Sequence, residues 1–190
     1  MKPAEPSFLD GQLLIAMPAM GDLRFARAVI FVCAHSAEGA MGLIVNKPAP
    51  DLRFADLLKQ LKIAPSPEVA DTRVHFGGPV EHGRGFVLHT GEYAVEGASL
   101  RVNDAFAMTA TVDILQDMAR GEGPERAILA LGYSGWGPGQ LEGEIQANGW
   151  LVAPADADLV FGSRDAEKWE GALRRISIDP RLLSAEGGRA

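Results

Sequence analysis

The sequence is poor in cysteine: Cys33 is the only one in 190 residues. A single thiol excludes a disulfide framework and a multi-cysteine zinc site. Positive charge is also short. Eighteen Lys and Arg stand against 25 Asp and Glu, a formal net charge of −7. That balance argues against a protein whose task is to coat nucleic acid or an anionic membrane. Long apolar runs are missing too. The stretch from Leu13 to Met20 is interrupted by Pro18 and falls far short of the roughly 18 residues a spanning helix needs. Asp10 before it and Gly21 to Arg24 after it do not make a signal peptide. The expectation is a cytoplasmic protein that does not engage a membrane.

What is plentiful is glycine (22), proline (12) and apolar side chains, 47% of the chain, enough for a proper core. No composition shift or repeat marks a linker. The expected organisation is one domain over residues 1–190, with a flexible lead-in at 1–10 and a loose tail at 184–190.

Apolar runs predict strands at Leu13 to Met17, Ala28 to Ala34, Met41 to Val45 and Arg126 to Leu131. The second and third of these form a hairpin across the turn at Ser36 to Gly39. Further strands are expected at Arg73 to Phe76 and Gly85 to Thr90, joined by a Gly/Pro loop, and at Ser99 to Val102, Phe106 to Thr109 and Trp150 to Ala153. Helices are expected at Arg53 to Lys62, at Thr111 to Arg120 with Val112, Leu115 and Met118 inward, and at Gln140 to Ala147. A last helix is capped by Ser163 and packs Trp169, Ala172, Leu173 and Ile176 inward, and Arg181 to Ser184 form a final turn. The order points to an α+β domain: a curved, mostly antiparallel sheet with helices packed on it.

The densest local feature is Gly132 to Glu142, read as a strand running into a glycine-rich turn (Gly132 to Gly139) and then a helix with Pro138 in its first turn. A nucleophile elbow at Ser134 is incomplete, because Trp136 stands where the last glycine belongs and His89 precedes the serine. Dinucleotide binding, with Asp156 as the later acid, is opposed by Glu142 and Glu144 at the helix start. His75, His82 and His89 recur every seven residues, a spacing that suits no common metal motif, although a hairpin could bring His75 near His89. Cys33 sits in an apolar strand and reads as a small core residue. Trp136 reads as a lid on the core or as the wall of a ligand groove. Basic residues are scattered and form no nucleic-acid motif.

Three segments carry a resemblance. The first runs from Gly11 to Pro18 and on through Phe25, His35, Gly39, Gly42 and Asn46 to Pro48. The second comprises Gly77, Gly78, Pro79 and Val80 with Gly85 to His89. The third runs from Gly132 through Trp136 and Gln140 to Glu142, then Asn148 to Trp150. Together they resemble the YqgE/AlgH family of bacterial proteins over nearly the whole chain. The resemblance implies a small cytosolic protein whose strongly bent sheet forms a pseudo-barrel. The family's label of transcriptional regulator comes from its alginate-related name and not from a DNA-binding motif. It offers no catalytic residues to transfer.

The expected function is a non-enzymatic binding or regulatory protein with a protein or small-molecule partner, no cofactor, no metal and no direct nucleic-acid contact. The alternative is an enzyme with a site near the Gly132–Glu142 loop. The candidate surface comprises His35, Asn46, Gly77, Gly78, Pro79, His89, Ser134, Gly135, Trp136, Gln140, Glu142 and Trp150.

Overall fold

The computed structural model describes residues 7–67 and 72–183. Within them the strands are β1 (Gln12–Ala16), β2 (Val29–Ser36), β3 (Gly39–Ile44), β4 (Val74–Phe76), β5 (Val80–Thr90), β6 (Ser99–Arg101), β7 (Phe106–Thr109), β8 (Ala127–Trp136) and β9 (Trp150–Pro154). They form one sheet in the order β6-β7-β5-β8-β3-β2-β1-β9, with β4 also on β8. Every pairing is antiparallel except β4 with β8. The sheet curls strongly into a half-barrel. The helices are α1 (Phe54–Gln60), α2 (Val112–Ala119), α3 (Gln140–Gln146), α4 (Ala157–Phe161) and α5 (Lys168–Arg175).

The continuous apolar runs have a direct cause. Successive strand residues point to opposite faces, and both faces of β1 and β2 are covered. Leu13, Ile15, Val29 and Phe31 pack with Trp169 and Leu173 of α5 on one side. Leu14, Ile30 and Val32 pack with Trp136, Leu141 and Trp150 on the other. A third cluster seats Phe54 and Leu58 of α1 and Ile114 and Met118 of α2 against Val87 and Leu129. Cys33 is buried inside β2. Burial first, then the nearby Asp10 charge, pushes its thiol up to about 12, so it is not a nucleophile.

A polar knot joins α5 to β4. Asp165 accepts from Arg73 Nη1 at 2.6 Å and His75 Nε2 at 3.0 Å on one carboxylate oxygen. Its other oxygen lies 2.9 Å from Lys168 Nζ. Lys168 is 2% exposed, and its ammonium also donates to the carbonyls of Val45 and Val160, each at 2.8 Å. The Trp169 indole N–H donates to the Ala16 carbonyl at 2.9 Å.

The expected loop between β4 and β5 is an unusual crossing. Leu129 to Leu131 of β8 pair with β4 on one edge and with β5 on the other. The connection Gly77–Pro79 therefore passes over β8. A side chain on Gly77 would run into the Gly132 carbonyl, and one on Gly78 into the Tyr133 backbone. Gly132, at φ +72, packs just as closely under the Gly78 and Val80 carbonyls. These three glycines permit the strands to cross.

Several expectations are corrected. Val74–Phe76 and Val80–Thr90 are not a hairpin, since β8 lies between them, so the proposed approach of His75 to His89 has no basis. The strand expected to end at Leu131 continues to Trp136, because Ser134 to Trp136 pair with Gly42 to Ala40. Pro138 precedes α3, whose N-cap is Gly139 at φ +71. Asp156 is the N-cap of α4, a helix without a clear sequence signal, and accepts from Leu159 N–H at 2.9 Å. Ser163 caps nothing; Asp165–Glu167 form a 3-10 turn leading into α5, whose N-cap is Glu167. The inward face of α2 is Ile114 and Met118, while Val112 is exposed. The final turn is Pro180–Leu182. The lead-in is only partly described, and Leu9 and Asp10 hold His35. Residues 1–6 and 184–190 lie outside the described residues.

Candidate functional site

Two clefts flank the end of β8. The first, about 690 Å³, lies between Asp10, His35, Glu38, Met41, Arg84, Phe86 and Tyr133. The second, about 600 Å³, lies between Met20, Phe25, Pro79, Gln140, Glu144 and Trp150. Val80, Gly135 and Trp136 line both, so the two make one continuous groove around exposed Gly135. Each is within the volume range of small-molecule sites.

The groove is set by a tryptophan clamp. Trp136 at the end of β8 and Trp150 at the start of β9 meet edge to face at 6.0 Å. Both indole N–H groups donate to Glu144 Oε2, at 2.9 and 2.8 Å. Gln140 Nε2 donates to Glu144 Oε1 at 3.0 Å, and Gln140 Oε1 accepts from Gly137 N–H. Gln140 and Glu144 are four residues apart, hence on one face of α3. Trp136 is thus both core lid and groove wall. Glu144, absent from the expected surface, is the organiser; its position four residues after Gln140 was the available signal. Glu144→Ala leaves two buried indole donors unpaired and is expected to cost about 2 kcal/mol. Denaturant midpoints of the two proteins check this, and a loss below about 0.5 kcal/mol refutes the clamp.

His35 is locked beside the groove. Its Nδ1 accepts from Leu9 N–H at 3.0 Å, so its Nε2 carries the proton and donates to Glu142 Oε1 at 2.7 Å. The Glu142 carboxyl is held below its ordinary range, first by its own backbone N–H and, against burial, by His35.

The remaining candidates are elsewhere or internal. His89 donates from Nδ1 to the Thr90 carbonyl and accepts at Nε2 from Thr109 Oγ1, at 2.9 and 2.8 Å. Thr109 in turn lies 2.6 Å from Ser99 Oγ. Burial holds the His89 imidazole below its ordinary pKa. Ser134 is fully buried and donates to the Gly77 carbonyl. Asn46 accepts from Val29 N–H and donates to the Arg27 carbonyl, fixing the start of β2. Gly77 and Gly78 serve the crossing. The structure therefore gathers His35, Pro79, Gly135, Trp136, Gln140 and Trp150 at the groove, with Glu142 behind His35 and outside the lining. It leaves Asn46, Gly77, Gly78, His89 and Ser134 outside its lining. Among the described residues no cluster of three His, Cys, Asp or Glu has metal-holding geometry.

A family model described as AlgH-like matches residues 13–181. The chain belongs to the AlgH-like family. A UPF0301 protein of Ruegeria pomeroyi is 63% identical over 184 residues, covering 96% of this chain and 99% of that one. One from Cereibacter sphaeroides is 58% identical over 182 residues with the same coverage. The solution structure of AlgH from Pseudomonas aeruginosa superposes with a TM-score of 0.78 at 39% identity, covering all of both chains. A crystal structure from Corynebacterium diphtheriae, with a TM-score of 0.72, is 23% identical over 96% of this chain and 92% of that one, and shows the shared fold alone. The bent sheet expected from the resemblance is the AlgH-like sheet described above.

Proposed function

We propose that the protein is a non-enzymatic, cytoplasmic binding protein whose ligand lies in the groove around Gly135. The observation that carries this reading is the continuity of two small-molecule-sized clefts across Val80, Gly135 and Trp136. The state of the reactive side chains supports it. His35, His89 and Ser134 each spend their hydrogen-bonding atoms on the fold, and Cys33 is sealed in the core. A catalytic histidine needs a nitrogen within reach of a reacting proton, and neither His35 nor His89 offers one. No helix among the described residues is long and apolar enough to cross a membrane. A lone buried thiol suits a reducing compartment.

A fragment library titrated into the 15N-labelled chain tests the reading. Amide shifts are expected to concentrate at Val80, Gly135 and Trp136. Hits that cluster elsewhere, or turnover of any bound fragment, count against a non-enzymatic binding role at this groove.

A further inference from the structure

We propose that the first cleft takes a small organic cation, a guanidinium or an alkylammonium, over the Phe86–Tyr133 floor. This rests on the groove being a binding site and names the chemistry it selects.

The floor is aromatic. Phe86 and Tyr133 meet edge to face, with centroids 5.7 Å apart. A cation is already there: the Arg84 guanidinium carbon lies 5.0 Å from the Phe86 ring centroid, a cation–π distance. The chain's own side chain shows which group the floor accepts. Arg84 belongs to an excursion of β5. Val80 pairs with Tyr133 and Gly85 with Leu131, so Glu81 to Arg84 bulge out opposite Gly132 alone. The Arg84 side chain is 56% exposed and is held from outside by Glu81 at 3.2 Å. An exposed pair of this kind is weak, so an incoming cation can displace it.

The rim is negative. Asp10 and Glu38 both line the cleft. Asp10 Oδ1 accepts only a backbone N–H, that of His35, and neither carboxylate has a basic partner among the described residues. Both ring nitrogens of His35 are taken, Nδ1 by the Leu9 N–H and Nε2 by Glu142. Among the described residues the single Lys or Arg on the lining is Arg84, already matched by Glu81. An anionic ligand would meet two uncompensated carboxylates and a guanidinium that is spoken for. A cation meets two carboxylates and an aromatic face.

The test is agmatine, followed by amide chemical shifts of the full chain, with glutarate as the anionic probe and the neutral fragments above as the third arm. Agmatine is expected to shift Tyr133, Gly135 and Phe86 saturably. Arg84→Ala removes the internal competitor and is expected to tighten agmatine several-fold. Asp10→Asn with Glu38→Gln, which keeps the oxygen facing His35 N–H, is expected to weaken it about fivefold. Weaker agmatine binding in Arg84→Ala overturns the shared-floor assignment. Glutarate or a neutral fragment binding where agmatine does not overturns the cation while leaving the groove. Silence from all three probes overturns the groove itself.

Discussion

Gly78→Ala is expected to prevent the native sheet from forming, at a cost of at least about 4 kcal/mol. The cause is the crossing over β8. A methyl at Gly78 would occupy the space of the Tyr133 carbonyl and the Ser134 nitrogen. These are backbone atoms of the central strand and cannot rotate away as a side chain tip would. The φ of +155 adds strain, because side chains rarely adopt it. Relief requires lifting the crossing segment, which carries Val80 away from Tyr133 and opens the start of β5. Gly83→Ala is the matched control: a methyl there would meet nothing within 4 Å, and its φ is ordinary. Circular dichroism and denaturant midpoints should show Gly83→Ala near wild type and Gly78→Ala unfolded or nearly so. Comparable stability in both would remove the crossing as a tight contact.

Asp165→Ala is the second large effect. Asp165 is the counter-ion for a buried group of cations, with Lys168 Nζ at 2.9 Å and Arg73 Nη1 at 2.6 Å. Removing it strands Lys168 at 2% exposure. Breaking a buried pair from one side costs about 3 kcal/mol or more. The same group imposes a pH dependence. Burial alone would raise the Asp165 carboxyl, but hydrogen bonds from His75 and Lys168 and their charges outweigh it, holding it at about 2 against 3.8 unfolded. A depressed carboxyl stabilises above its unfolded value and loses that contribution as the pH falls through the folded one. The wild-type protein should therefore shed about 2 kcal/mol between about pH 4 and pH 2. Asp165→Ala should lose that portion of the acid limb. An unchanged acid limb in the variant would assign the dependence to other carboxylates.

The legible parts of this fold are those whose partners are near in sequence or whose pattern is unmistakable. The β2–β3 hairpin follows from two apolar runs and a short turn, and Trp169, Ala172 and Leu173 mark one face of α5. The illegible parts depend on distant chain. Nothing in Val74–Phe76 says that β8 will come between it and β5. The glycines at 77, 78 and 132 read as a functional loop because their real cause, a backbone crossing a backbone, needs residues more than fifty positions apart. At the site, the family resemblance points to His35, Gly135 and Trp136. It does not point to Arg84 or Asp10, because a floor and rim assembled from β5, β8 and the lead-in have no local signature. Glu144 reads in the sequence as a charge at a helix start, when its task is to accept two indole donors.

The strand crossing also sets an order of events during synthesis. β4 and β5 leave the ribosome before β8, yet each finds its central neighbour only in β8. The late strand must slot between two early ones and beneath the segment that joins them. A chain halted before Ala127 would carry three unmatched strand edges, those of β3, β4 and β5, the usual invitation to aggregation. Contacts so distant in sequence also slow folding. Gly132 can be seated under Gly78 only once the chain has been made as far as β8.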